Sequence, residues 1–539
     1  MKKKLFSFIA SMVIVLSLSS CSIVNSNQSV ISKKPWLEGK TVKGHNFTYD
    51  ITLTDYDELK GEMDKAKEYA LEDSHYDYFY DVYIKVQDFY YKVDDANLIE
   101  DLEYSIYGKD ENLTKSENFY NISTEILEWF NDVEHIAFNN SYKEKLWENK
   151  TDEEILDIIG KDLPDEYFEL SRNLKSLENS FLELDESDDN FYSDVDDIFV
   201  QYVSSGNEFA KLSEYDNYLE YLYKEEYERD YSVKDTEDFY EYTEKYIVPY
   251  LISLKEKRDN LKNVLTKEEK SIVSNFFGGD SFKEERFSYI EQYKDYMGGI
   301  LKEAFDNLFK DDGCYFISYE DDSLDGAYQN SINNTPYVFY GNGYHDSLTI
   351  VHEFGHYTDD LLGTSKVNAY DLLETHSQAN ELLFLDYYRS INNYRKEVND
   401  YIYYYGIYDK LLTVFISSFV NEVEKRCYES TDLKKGDLIK EIEKMYSEND
   451  NLSKAYPLRH MISYVVYVTM YSPGYYISYA TSSLGSCYIE KIANDNFDAG
   501  KEMYYKLFKY ENCDTYREVY EYAGVKDPFE EELFQVVAS

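Results

Sequence analysis

Apolar and aromatic residues recur at spacings of three and four over long stretches between about residue 55 and residue 310; Leu212, Tyr215, Tyr218, Leu219 and Leu222 form one such run. This is helical periodicity, and only seven prolines interrupt it in 539 residues. Such stripes read as core. The acidic stretch from Glu183 to Asp197 lacks the glycine of a calcium-binding loop and is expected to be a solvated loop between helices. The texture changes near Gly313, where Gly326, Pro336, Gly341 and Gly343 punctuate the chain. The aromatic and β-branched run Pro336-Tyr337-Val338-Phe339-Tyr340 predicts a strand. A helix should start near Asp346, a fair N-cap, and stop at Gly363. Leu372, Leu373, Leu382 and Leu383 then predict a second buried helix.

The first residues follow another logic. Lys2, Lys3 and Lys4 precede a short apolar stretch, Leu5 to Leu18, too short for a membrane span. It ends in Leu18-Ser19-Ser20-Cys21, the pattern of a bacterial lipobox. Residues 1–20 are therefore expected to be a signal peptide. Cys21 would be a lipidation site, its acyl chains holding an exported protein on the outer face of the cell membrane. The Ser- and Asn-rich segment that follows, to residue 45, would be a tether. A helical N-terminal subdomain is placed at 46–205 and a catalytic domain at 206–539.

Composition narrows the choice of partner. The net charge is −51, which disfavours nucleic acid, because phosphate binding needs clustered Lys and Arg. Aromatic residues make up 17%, so the chain can fill a core despite its charge. The five cysteines include no closely spaced pair, which argues against a cysteine zinc site.

The candidate chemistry sits at His352-Glu353-Phe354-Gly355-His356. Residues four apart lie on one face of a helix, so two imidazoles can converge on one Zn²⁺ at about 2.0–2.1 Å each. Glu353 lies about 100° round and faces the ion's water, whose pKa zinc lowers to about 7. It can take that proton and pass it to a leaving amine. With eight histidines, chance gives this pattern in on the order of one or two such chains per hundred. A catalytic zinc needs a third protein ligand. Glu374 and Glu381 share a face of the second helix, and spacing does not choose between them. His376 is rotated off that face and reads as a core or rim histidine.

Several stretches, in order, resemble the thimet oligopeptidase and oligoendopeptidase F group of zinc peptidases, most of all the oligoendopeptidase F branch. They are Gly326-Ala327-Tyr328, Pro336 to Tyr340, the His352–His356 motif, Glu374-Thr375-His376-Ser377-Gln378-Ala379-Asn380-Glu381, Tyr475 to Thr481, and Ala523-Gly524-Val525 with Pro528-Phe529-Glu530. The resemblance covers roughly residues 300 to 535. It implies a mainly α fold, with two helical halves around a deep channel and a short strand region before the motif helix. It implies Glu374 as third ligand and Glu381 as a supporting neighbour. It also implies that Tyr337, Val338, Phe339 and Tyr340 line the cleft, where an edge strand could pair with substrate backbone, with Tyr479 at the substrate. Tyr471 and Tyr475 match tyrosines that donate hydrogen bonds to a developing oxyanion. Two departures stand out. The link from His356 to Glu374 is several residues shorter than usual, and a family histidine is missing where this chain has Val466 and Thr469, the nearest being His460.

The activity so implied is zinc-dependent hydrolysis of short unstructured peptides by a monomer. The alternatives are a non-catalytic surface lipoprotein that binds peptides or zinc, and a zinc protease acting on whole proteins.

Overall fold

The computed structural model describes residues 47–184, 190–278, 284–310, 313–318, 326–341, 346–362 and 366–539. The expected signal peptide, Cys21, the tether, Gly343 and Gly363 lie outside them. The fold is mainly α, as expected.

The described residues form two compact units: 47–184 with 201–218, and 190–200 with 219–539. The boundary expected between 205 and 206 falls inside a continuous helix, Phe191–Leu212. That helix also takes up Ser193 to Asp197, which the sequence pattern had placed in a loop. The run from Leu212 to Leu222 is not one helix either. Glu214 adopts a φ of 68°, and the chain turns there. The turn lays the Tyr218 ring on Gly206, where a Cβ would come within 2.7 Å of the ring.

The first unit is built on helices α1 (Leu53–Leu71), α2 (Tyr76–Tyr107) and α3 (Asp110–Phe138). A capping box starts α1: the Asp55 amide donates to Thr52 Oγ1 and the Thr52 amide returns a bond to Asp55 Oδ2. Met63, Val86, Ile126, Trp129, Val133 and Trp147 are among its core residues. The Trp129 indole donates to the Met63 carbonyl at 3.0 Å.

The second unit holds a three-stranded sheet in the order β1-β3-β2, formed by β1 (Cys314–Ile317), β2 (Ala327–Ile332) and β3 (Thr335–Tyr340). β2 and β3 are an antiparallel hairpin closed by Asn333 and Asn334, both at positive φ (50° and 56°), a turn that asparagine tolerates. β1 pairs with β3 in parallel, Cys314 opposite Tyr337. This corrects one expectation. The strand from Tyr337 to Tyr340 is central and both its edges are already paired, so its backbone cannot add a substrate strand. Its four side chains are fully buried. The open edges of the sheet, among the described residues, belong to β1 and β2.

Beyond the sheet come α4 (Ser347–Leu362), α5 (Tyr370–Ile391), α6 (Lys396–Tyr428), α7 (Leu458–Tyr471) and α8 (Ile477–Asp495). α4 and α5 are buried nearly all round, including their polar residues. Such helices place functional groups inside the protein at the cost of partnering every polar atom. α4 lies against α5 at Gly355, where an added Cβ would come within 2.7 Å of Ser377 Cα and 2.8 Å of the His376 carbonyl.

Candidate metal centre

Asp346 caps α4 as expected. Its Oδ1 accepts from the amides of Leu348 at 2.9 Å and Thr349 at 3.1 Å, and its Oδ2 accepts from the Thr349 hydroxyl at 2.6 Å. The helix so started carries His352, Glu353 and His356, and α5 carries Glu374 and Glu381 opposite them.

One ligand atom each from His352, His356 and Glu374 lies within 4.8 Å of the other two. Glu374 stands 3.5 Å from His352 Nε2 through Oε2 and 3.7 Å from His356 Nε2 through Oε1. Of the two carboxylates that spacing left open, Glu374 is the one grouped with both imidazoles. Glu381 lies on the far side of His352, its Oε1 2.7 Å from Nδ1. The same oxygen accepts from Lys410 Nζ of α6 at 2.7 Å. A histidine whose Nδ1–H is held by a carboxylate presents its Nε2 lone pair in a fixed direction, the usual support of a metal-ligating imidazole.

The residues fit a metal ion. His352 Nε2, His356 Nε2 and both oxygens of Glu353 are buried and make no hydrogen bond. Buried polar atoms are normally partnered, so four at one place point to a group that belongs there. Two imidazoles and one carboxylate are a zinc donor set.

The electrostatics differ from residue to residue. Burial, with the neighbouring His352 and His376, holds His356 well below the ordinary histidine range, so its imidazole is neutral and free to ligate. For His352 burial pulls the same way, but the hydrogen bond and charge of Glu381 outweigh it and raise the pKa. Burial pushes Glu353 up to about 8, opposed by His352 and reinforced by Glu374 and Glu381. Glu374 is raised by burial, against the pull of His352 and the bond from Tyr475. Glu381 is lowered, because Lys410 and His352 overcome burial.

The tyrosines divide. The Tyr475 hydroxyl donates to Glu374 Oε1. Tyr479 packs edge-on against Tyr475, ring centroids 5.1 Å apart, and its hydroxyl is pushed far up by burial and then by Glu374, with Glu353 contributing. Tyr471 ends α7 and stacks on Tyr467 at 5.4 Å. Of the strand residues, Tyr340 feels Glu353, whose charge adds to burial in raising its hydroxyl. His376 is a core histidine, stacked on Phe508 with Nε2 3.1 Å from the Leu507 carbonyl. Val466 and Thr469, where the family histidine is missing, are buried in α7. The sequence reading missed Lys410. Its only trace is a lone cation in the tyrosine- and leucine-rich middle of α6.

The sequence profile of Peptidase family M3 matches residues 207–538. No curated protein sequence matches the chain significantly. Among solved structures, a Bacillus anthracis protein assigned as an oligoendopeptidase F is similar over 92% of this chain and 96% of its own, with TM-score 0.62 at 16% identity. PZ peptidase A with inhibitor 2 is similar over 91% and 97%, with TM-score 0.63 at 15% identity. Oligoendopeptidase F from Enterococcus faecium is similar over 90% and 95%, with TM-score 0.57 at 14% identity. At these identities the likeness is one of fold.

Proposed function

The chain belongs to peptidase family M3, and from that premise we propose that it is a zinc-dependent oligoendopeptidase acting on short unstructured peptides. The carrying observation is the convergence of His352 Nε2, His356 Nε2 and Glu374 beside the unpartnered carboxylate of Glu353. The names of the similar solved structures, oligoendopeptidase F and PZ peptidase A, support the substrate class.

In this reading His352, His356 and Glu374 hold the ion. Zinc supplies Lewis acidity there, polarising the scissile carbonyl and acidifying water. Glu353 is the general base. Burial is the main influence raising its proton affinity, and a buried carboxylate aimed at the site is placed to accept and release a proton. It takes the proton of the attacking water on one oxygen and delivers it to the leaving amine. Tyr479 and Tyr471 are proposed as donors to the developing oxyanion. Tyr475 departs from that expectation, since its proton is given to Glu374; it holds the ligand instead.

The test is digestion of a library of short peptides by residues 22–539, read by mass spectrometry. A chelator should stop cleavage, zinc should restore it, and a folded protein should survive. Zinc binding without cleavage would favour a binding role, and cleavage of the folded protein would favour a protease of whole proteins.

A further inference from the structure

Arg229 lies in the second unit, far in sequence from every metal-site residue, yet its guanidinium is completely buried. It stacks between tyrosines, 4.2 Å from the Tyr223 ring centroid and 4.5 Å from that of Tyr227. Each edge of its fork is used. Nη1 donates to the Gly474 carbonyl at 2.9 Å, and Nη2 donates to the Tyr475 carbonyl at 3.1 Å and to Ser478 Oγ at 2.7 Å. Nε faces Asp371 Oδ2 at 3.4 Å. Asp371 in turn accepts from Tyr231, Ser478 and Thr481. The Tyr227 hydroxyl adds a bond to the Pro473 carbonyl at 2.7 Å.

The two things Arg229 grips are the two sides of one contact at the metal centre. Asp371 opens α5 one turn before Glu374, and Tyr475 is the residue whose hydroxyl bonds Glu374. Taking the zinc reading above as the basis, we propose that Arg229 is a positioning residue of the metal centre: it fixes the turn from Pro473 to Ser478 against the start of α5, and so holds the Tyr475 hydroxyl on the ligand oxygen of Glu374. An arginine is required because a planar fork reaches two carbonyls, a hydroxyl and a carboxylate at once. Lysine keeps the charge opposite Asp371 but cannot span the turn.

A merely structural arginine would lower stability and leave metal affinity alone once the protein is folded. The discriminating measurement is zinc affinity, by competition with a chromophoric chelator, for wild type, Arg229→Lys, Tyr475→Phe and the double variant. Each single change should weaken zinc binding about tenfold, the low end for groups that support a ligand. The double variant should be no weaker than the worse single one, because both remove the same contact. Wild-type affinity in folded Arg229→Lys, or losses that multiply in the double variant, would overturn the inference while leaving the zinc reading intact. A wild type that binds no zinc would sink both. If Arg229→Lys does not fold, Ser478→Ala removes one arm of the same network and should show the same non-additivity with Tyr475→Phe. Full additivity there, or failure of both variants to fold, overturns the proposal.

Discussion

Gly355 offers the sharpest single perturbation, because one added methyl group acts on both halves of the site. In Gly355→Ala the new Cβ would lie 2.7 Å from Ser377 Cα, 2.8 Å from the His376 carbonyl oxygen and 3.0 Å from the Ser377 amide nitrogen. All three belong to the backbone of α5, so no side chain can swing away. Ordinary carbon contacts lie at about 3.5–4.0 Å, so α4 and α5 must separate locally by roughly 1 Å. Overpacking of that kind costs about 1–3 kcal/mol. The movement falls between the helix bearing His352 and His356 and the helix bearing Glu374, which now approach to 3.5 and 3.7 Å. A displacement of about 1 Å at a reacting centre can cost on the order of 100-fold. Gly355→Ala should therefore lower the denaturant midpoint and weaken zinc binding together, as read by chemical denaturation and chelator competition. Gly61→Ala in α1 is the control, since its Cβ meets nothing within 4 Å and should be neutral or stabilising by about 0.5–1 kcal/mol. If Gly355→Ala binds zinc and unfolds like wild type, the helix contact does not set the site.

Other expectations follow from neighbouring contacts. Glu353→Gln should lose roughly 10²- to 10⁴-fold in peptide cleavage while still binding zinc, because only the proton acceptor is removed; retained cleavage would dismiss Glu353 as the base. Glu381→Gln weakens the anchor of His352 and should reduce zinc affinity about 10- to 100-fold, and unchanged affinity would show that the ring is oriented by something else. Glu424 is buried, bonded by the Gly474 amide at 2.9 Å, and raised by burial from 4.5 to about 8. Its folded form holds a proton that the unfolded chain has already released, so it costs stability progressively as pH rises from the ordinary carboxylate range through 8. Glu424→Gln should thus unfold later than wild type above pH 8, with the gap closing on acidification, and melting curves with no such pH dependence would refute this. Cys21→Ala should abolish incorporation of a labelled fatty acid and release the protein from the membrane fraction; an unchanged membrane fraction would dismiss the anchor.

The candidate site was legible because its grammar is local. His352, Glu353 and His356 need only one helix, and Asp346 announces where that helix begins. Glu374 and Glu381 were equally legible as residues but not as roles, since both share a face of α5 and only the packing of α4 shows which reaches the metal side of His352. The strand at Tyr337 was also legible; its neighbours were not used, although Cys314 to Ile317 is an apolar run after Gly313 and Asn333-Asn334 is a hairpin turn. Without them β3 passed for an edge. Arg229 and Lys410 were invisible for a deeper reason: each gains its meaning from segments more than a hundred or some thirty residues away, and a cation among tyrosines looks the same in sequence whether it faces solvent or a buried carboxylate.

The placement of the indoles gives the two units separate optical voices. Trp129 and Trp147, the tryptophans among the described residues, both lie in the first unit's core, while tyrosines surround the metal centre in the second. Emission from Trp129 and Trp147 during denaturation will therefore follow the first unit and stay nearly blind to the melting of α4 and α5. A titration with zinc should do the opposite, perturbing tyrosine absorbance near Glu374 and leaving the signal of Trp129 and Trp147 still. A single emission curve would understate what the protein is doing; two chromophores followed together would time the units apart.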